Sequence, residues 1–356
     1  MALDITRTRL RNQRLSGGRF AKPEEVVSWL GAVQAQEYGH AKWALGLRMQ
    51  RPADAQIETA FTEGRILRTH VMRPTWHFVA PADIRWMLAL TAPRVSAAIA
   101  VYNRRLELDA TVFRRSQRAI VRALRGGGQL TRQELKVALQ RAGIEADGVR
   151  LAFIVMQAEL DAVICSGARR GKQFTYALID ERVPMSRPRS RDDALAELAR
   201  RYFTSHGPAQ VHDFAWWSGL TVSDARAGLA AVEGDLAHET VDGATYWVSS
   251  SGRMRTAPRT AYLLPLFDEY LIAYKDRSAA LDSSRWTRTA SRDPFSAPIV
   301  VDGQVVGGWK RIQKTGKVRV ALTPFAPLDK RHVAAITGAA QAYTRFVGAE
   351  LDLSWS

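Results

Sequence analysis

The sequence predicts an α+β fold on two observations. One order of elements, helix–helix–helix–hairpin, recurs along the 356 residues, and after about Thr260 it gives way to strand-like alternation. In the first unit, 1–108, "KPEEVVSWLGAVQ" is amphipathic, "DAQIETAFTEG" is a short helix ending at Gly64, and "RILRTHVMRPTWHFVAP" is a hairpin broken by Pro74. The second unit, 109–182, is the most regular. "TVFRRSQRAIVRALRGGGQ" is a helix stopped by three glycines, and "LTRQELKVALQRAG" opens with a Thr131/Glu134 capping box and ends at Gly143. Leu135, Ala138, Leu139 and Ala142 fall at i, i+3, i+4 and i+7, one helical face. "GVRLAFIVMQAELD" is a third helix. The period then changes to two, with Phe174, Tyr176 and Leu178 alternating after a turn around Gly167–Gly171. The third unit, 191–256, repeats the order with "RDDALAELARRYFTSHG", "PAQVHDFAWWSGL" and "TVSDARAGLAAVEGD"; Pro208 fits the first helical position, and Thr221 with Asp224 forms a cap. Its hairpin turns at Asp242-Gly243, a strong short turn signal.

Three helices and a hairpin make a winged helix, so the chain reads as three tandem winged-helix domains, with Arg182–Arg191 linking the second to the third. The segment 260–356 differs in character. It opens with the apolar, aromatic "AYLLPLFDEYLIAYKDRSAAL" and alternates through "PIVVDGQVVGGWKRIQKTGKVRVALTPF", with turns at Asp302-Gly303 and Thr315-Gly316. It ends in the helix "DKRHVAAITGAAQAYTRFVG". A β-rich, barrel-like segment packed on the third domain is expected.

Composition excludes several classes of function. No apolar run approaches the roughly 18 residues of a membrane span, and "MALDITRTRLRNQRLSGG" lacks the apolar region of a signal peptide, so a cytoplasmic protein is expected. The single cysteine, Cys165, and seven scattered histidines offer neither a disulfide nor a metal-ligand spacing, and no nucleotide-binding glycine loop occurs, so no cofactor is expected. The charge is more informative: 51 Lys+Arg against 35 Asp+Glu gives +16. Such an excess suits a polyanion, because each neutralised phosphate releases counterions, although an arginine-rich coding habit gives the same excess. Three winged helices lining a concave basic surface would suit double-stranded DNA. The same fold also serves as a protein-interaction module.

Candidate residues fall into three groups. Aromatics interleaved with cations mark two hairpins: Arg68, Arg73, Thr75, Trp76 and His77 on one, and Trp309, Lys310, Arg311 and Lys314 on the other. Trp76 and Phe78, on one strand face, equally suit a core. Arg169, Arg170 and Lys172 at the second domain's wing tip are the better phosphate contacts. Among carboxylates, Glu24-Glu25 and Asp192-Asp193 sit at helix starts, where they meet the dipole. Asp268-Glu269 instead lies in an apolar run, so Asp268 is either a site carboxylate or the buried partner of a cation such as Arg277. The last group is "VQAQ". Gln34 and Gln36 neither titrate nor attack, and on a helix they would point about 200° apart. They can share a site only if the helix has ended by Gln34.

Tandem winged helices with Gln-Ala-Gln near the start resemble the AlkZ-like (AlkZ/YcaQ) bacterial DNA glycosylases. "RTHVMRPTWHFVAPADIRWML", "PLFDEYLIAYKDR" and "VDGQVVGGWKR" are similar to that family's recurring blocks, so the likeness runs over nearly the whole chain. It implies that Gln34 and Gln36 are the catalytic pair, in the Gln-apolar-Gln form. It further implies monofunctional removal of N-alkylated purines such as N7-alkylguanine, interstrand crosslinks included, from duplex DNA. Such an enzyme would be a cytoplasmic, nucleoid-associated monomer. Glutamine suits that reaction. An N7-alkylated guanine is already cationic and leaves as a neutral base, so what remains is to place water and support the sugar cation. The other reading is a non-enzymatic winged-helix transcription regulator, which would prefer a sequence rather than a lesion.

Overall fold

The computed structural model describes residues 3–249, 261–292, 296–314 and 316–356, without the side chains of 288–292, 313 and 314. The end of the third predicted domain after 249, Thr315 of the last turn and the side chain of Lys314 therefore lie outside it. The fold is mixed α+β.

The first stretch carries α1 (Ile5–Asn12), α2 (Pro23–Leu30), β1 (Ala32–Gln34), α3 (Tyr38–Gly46), α4 (Asp54–Thr62), β2 (Leu67–His70), β3 (Trp76–Val79) and the long α5 (Pro81–Arg105). Its three strands form an antiparallel sheet in the order β1-β3-β2. The second stretch holds α6 (Ala110–Leu124), β4 (Leu130–Thr131), α7 (Arg132–Arg141), α8 (Gly148–Leu160), β5 (Ile164–Ser166), β6 (Thr175–Leu178) and the short α9 (Ile179–Arg182). Thr131 caps α7 by accepting from Glu134 N, and Glu134 returns a carboxylate to Thr131 N, the capping box read from the sequence. A third stretch follows with α10 (Arg191–Ser205), α11 (Val211–Ser218), α12 (Val222–Ala230) and the hairpin β7 (Leu236–Val241) and β8 (Ala244–Ser249). Pro208 is not at the first turn of α11; the helix starts at Val211, where Asp213 reaches back to Gln210 N.

The C-terminal stretch contains β9 (Ala261–Leu263), α13 (Glu269–Ile272), α14 (Ser283–Arg292), β10 (Ala297–Val301), β11 (Gln304–Lys314), β12 (Lys317–Pro324), α15 (Lys330–Val347) and β13 (Glu350–Trp355). Five strands make one curled sheet in the order β13-β12-β11-β10-β9, with a register break between Ile299 and Val300. The chain does not end in a helix as expected. β13 adds a parallel edge strand beside β12, and its Leu351, Leu353 and Trp355 alternate with polar residues.

Two further expectations are corrected. The C-terminal segment packs on the first stretch too, not on the third alone, where Ala273 and Tyr274 share a core with Tyr202 and Trp217. Trp43 of α3 meets Tyr343 and Phe346 of α15 edge-on or tilted, donates its indole N–H to Leu263 O, and shares one core with Trp309, Val320 and Leu322. Close packing at that contact explains it, since a methyl group on Gly46 would come within 2.9 Å of the Phe346 ring. The second correction concerns apolar length. α5 is long and apolar enough to cross a membrane by length and composition alone. In this fold it is a core helix, burying Ile84, Met87 and Leu88 with Leu195 and Leu198 of α10.

Candidate active site

The site begins where α2 ends. Gly31 has φ +80°, a left-handed conformation that a side chain would strain, and the chain leaves the helix as β1. Ala32, Val33 and Gln34 pair with Val79, Phe78 and His77, and Ala35 N still donates to Trp76 O at 2.7 Å. The chain is therefore extended as it passes Gln34. The strand ends there and Gln36 lies in the bend that follows, so the helix that would have set the two side chains about 200° apart has ended before Gln34. Gln34 is half-buried and Gln36 is exposed.

Three charged groups from distant elements fix this peptide. Glu269, fully buried at the start of α13, accepts from Gln34 N at 3.0 Å through Oε1. Its other oxygen accepts from Trp217 Nε1 at 2.9 Å and faces His206 Nε2 at 3.6 Å. Burial opposes ionisation of Glu269, but His206, Arg73 and the Gln34 N–H outweigh it, and its pKa falls below the usual value. Arg68 holds the middle residue, donating from Nε to Ala35 O at 3.0 Å. Arg73 donates from Nη2 to Gln34 Oε1 at 3.1 Å, which leaves that oxygen a second lone pair and leaves the amide N–H groups for a ligand.

The first hairpin does not offer its residues as expected. His77 is directly opposite Gln34, but it is fully buried and its Nδ1 faces Thr75 O. Burial and Arg73 push its pKa down to about 3, so it is a neutral framework residue, not a phosphate clamp. The Thr75 hydroxyl is likewise buried and without a hydrogen-bond partner among the described residues. Arg68 is 7% exposed, lodged between the rings of Trp76 and Phe174 at 4.2 and 4.4 Å. Arg277 donates to Tyr274 O and lies near enough to Arg73 to depress its pKa, so these two cations and Glu269 share one neighbourhood.

At the wing, Arg169 is paired with Glu58 at 3.3 Å and lies over Tyr38 and Phe174, and Arg170 is paired with Glu134 at 2.7 Å. Only Lys172 of the three is exposed without such a partner among the described residues. On the C-terminal hairpin, strand alternation separates what the sequence groups. Trp309 is 1% exposed and gives its N–H to Leu264 O, so it is core and offers no stacking face. Arg311 shares its face, donating to Tyr343 OH at 2.7 Å and covering Gly39, where a Cβ would meet its Nη2 at 2.5 Å. Lys310 lies on the opposite, exposed face.

Asp268 is not partnered by Arg277. Arg48 donates to both of its oxygens at 2.9 Å, and both side chains are fully buried. The carboxylate beside the glutamines is its neighbour Glu269, which the sequence presented only as half of an acidic pair. No local signal could separate the two, because Trp217 and Gln34 are 52 and 235 residues away.

Comparison with known proteins bears on the family and the fold. Residues 27–346 match the sequence model of a family described as DNA glycosylase AlkZ-like. The chain is 26% identical over 365 aligned positions to an interstrand DNA cross-link repair glycosylase of Streptomyces sahachiroi, covering 96% of this chain and 95% of that protein. The solved structure of Streptomyces sahachiroi DNA glycosylase AlkZ superposes with a TM-score of 0.81, at 21% identity, over 98% of each chain. At that identity the superposition bears on the fold.

Proposed function

The chain belongs to the AlkZ-like family of DNA glycosylases, and from that premise we propose that it hydrolyses the N-glycosidic bond of cationic N-alkylated purines in duplex DNA. The substrates are of the N7-alkylguanine type, with interstrand crosslinks of that type within range. The observation that carries this reading is that α2 has ended before Gln34 and the chain runs extended to Ala35, whose carbonyl Arg68 anchors, which lets Gln34 and Gln36 serve one site. The remaining lone pair of Gln34 Oε1 accepts from the attacking water, while the free amide N–H groups of Gln34 and Gln36 donate to the sugar or its phosphate. The alkylated base, already cationic, takes the electron pair of the glycosidic bond, leaves neutral and needs no strong acid, while the positive charge passes to the sugar. Water then adds to C1′ and gives up its proton to solvent. An amide is no amine nucleophile, so the reaction stops at hydrolysis, as in a monofunctional glycosylase.

The reading extends to architecture and setting. The three helix-and-hairpin stretches are three winged-helix domains with the curled sheet as a fourth part, and a monomer holds the duplex in the cytoplasm. Arg73 and Arg277 beside Gln34, Lys172 on the wing and Lys310 and Arg311 on the last hairpin are the cations that face DNA. The family match favours an enzyme over a sequence-specific regulator.

An excision assay on 7-methylguanine DNA, beside a bis-alkylated crosslink, tests this. Gln34→Ala and Gln36→Ala should each slow excision about a hundredfold while duplex binding survives, since each removes one positioning contact. Two variants that excise as fast as the parent would defeat the assignment.

A further inference from the structure

A cavity of about 660 Å³ opens between the first sheet and the second stretch, lined by Arg68 and Trp76 on one side and by Arg132, Lys136, Lys172 and Phe174 on the other. It lies within the roughly 300–1,000 Å³ span of ligand pockets. Among the described residues no carboxylate lines it. Lys136 is already bridged to Asp147, and Arg132 donates to Gly148 O at 3.3 Å.

Arg68 sets this cavity apart from a merely basic surface. The residue is more than nine-tenths buried, its guanidinium held by two rings and by Ala35 O. Among the described residues no hydrogen bond reaches its Nη1 or Nη2, and no carboxylate pairs with it. Glu159 and Glu37 lie near enough to favour its charged form but bond neither nitrogen, so the two Nη groups remain available to an anion in the cavity. α7 supplies an independent contribution. Thr131 caps the N–H of Glu134, so the N–H groups of Arg132 and Gln133 before it have no partner in the helix, and both residues line the cavity. Nucleobase stacking is not what the walls offer. The Trp76 ring is covered by Arg68 and by His70, with ring centroids 4.4 Å apart, and the Phe174 ring by Arg68 and Arg169.

We propose that this cavity holds one phosphodiester group of the DNA strand, and that Arg68, gripping it, transmits the strand's position to the Ala35 carbonyl between Gln34 and Gln36. The inference rests on the reading of the chain as acting on DNA. Arg68 is then a positioning residue, with the substrate's phosphate on one side and the catalytic peptide on the other.

Methylphosphonate interference tests it. Duplexes carrying one 7-methylguanine, each with a single phosphate replaced by a neutral methylphosphonate, are bound by the parent and by the double variant Arg132→Met/Lys172→Met. One phosphate near the lesion should stand out, its neutralisation weakening the parent about tenfold, and the double variant should no longer single it out. Arg68→Met should lower excision more than binding, and if it fails to fold the double variant still decides. The proposal is overturned if no phosphate stands out with the parent, or if the same one stands out equally with the double variant. It is also overturned if inorganic phosphate raises the melting temperature of the parent alone while the two interference patterns coincide, since the cavity then takes free phosphate. Excision by the parent is followed in parallel. Excision without interference sinks the cavity alone, and interference without excision sinks the glycosylase reading alone.

Discussion

Replacing Glu269 by glutamine should separate the catalytic scaffold from the general core. The wild-type carboxylate uses Oε1 to accept from Gln34 N and Oε2 to accept from Trp217 Nε1, at 3.0 and 2.9 Å. Glutamine has one carbonyl oxygen, so in either flip one N–H donor faces an NH2 group. The charge opposite Arg73 and His206 is lost as well. A hydrogen bond to a charged group contributes about 1.5–3 kcal/mol and a stranded buried donor costs about 1–3, so Glu269→Gln should cost about 2–4 kcal/mol of folding stability. The urea midpoint measures this, with an unchanged slope showing that two-state unfolding persists. Asp268→Asn is the matched control. It spoils the bidentate Arg48 contact at a similar cost but touches no residue of the Gln-Ala-Gln peptide. Single-turnover excision, corrected for the folded fraction, should fall about tenfold or more in Glu269→Gln and stay within about threefold in Asp268→Asn. Equal losses in the two variants would refute a site role for Glu269 and leave it a core residue.

Other expectations follow from the same contacts. Lys172→Met should lower the slope of log affinity against log salt by about one unit, whereas Arg169→Met, which breaks the Glu58 pair and the Tyr38 contact, should cost stability and leave the slope unchanged. Gly39→Ala should displace Arg311 from Tyr343, since the new methyl would sit 2.5 Å from Nη2; loss of about 1 kcal/mol in urea unfolding with weaker duplex binding is expected. Acid should destabilise the protein in two stages. The folded-state pKa values of His77 and His40 are about 3 against about 6.5 unfolded, so as pH falls below about 6.5 the unfolded chain binds protons first and stability drops. Glu269, whose pKa is lowered, adds a further loss as pH falls through its folded pKa, and urea midpoints across pH follow both. Excision should stay flat between about pH 6.5 and 8.5, because neither glutamine titrates; a bell-shaped profile there would indicate a titrating catalyst.

What the sequence revealed and what it hid divide along the range of the interactions. Local signals were legible: the Thr131/Glu134 box, the glycine stop after α6 and the Asp242-Gly243 hairpin all rest on residues within one or two turns of each other. Composition misled at the hairpins, because it treats neighbours as companions. A strand sends Trp309 and Arg311 to one face and Lys310 to the other, and His77, paired with Gln34, is buried beside it under Arg73. Arginines at the wing looked free because their acceptors, Glu58 and Glu134, lie 111 and 36 residues away. The parallel strand β13 was hidden for the same reason, since a parallel pair needs a crossover, here α15, and no turn marks it.

The Gln-Ala-Gln peptide shows why long-range contacts matter most at this site. A titrating catalyst can be tuned by its own pKa, but an amide has no charge state to tune, so its usefulness depends on orientation. Orientation here comes from charged groups bonded to the peptide itself: Glu269 on the Gln34 N–H, Arg73 on the Gln34 side-chain oxygen, and Arg68 on the Ala35 carbonyl. Each of these groups lies at least 33 residues from its acceptor or donor, and each comes from a different element. Arg73 and Glu269 carry opposite charges, so the Gln34 amide sits in a fixed local field between them. Such a scaffold requires α13 beside β1, and Glu269's own bonds to Gln34 N and Trp217 Nε1 hold it there, while the Arg48–Asp268 pair one residue earlier ties the helix start to the core. The acidic dipeptide thus divides two tasks between adjacent carboxylates, one anchoring the helix start to the core and one holding the glutamine. That division follows from the alternate directions of consecutive side chains at a helix entry, not from any difference in their chemistry.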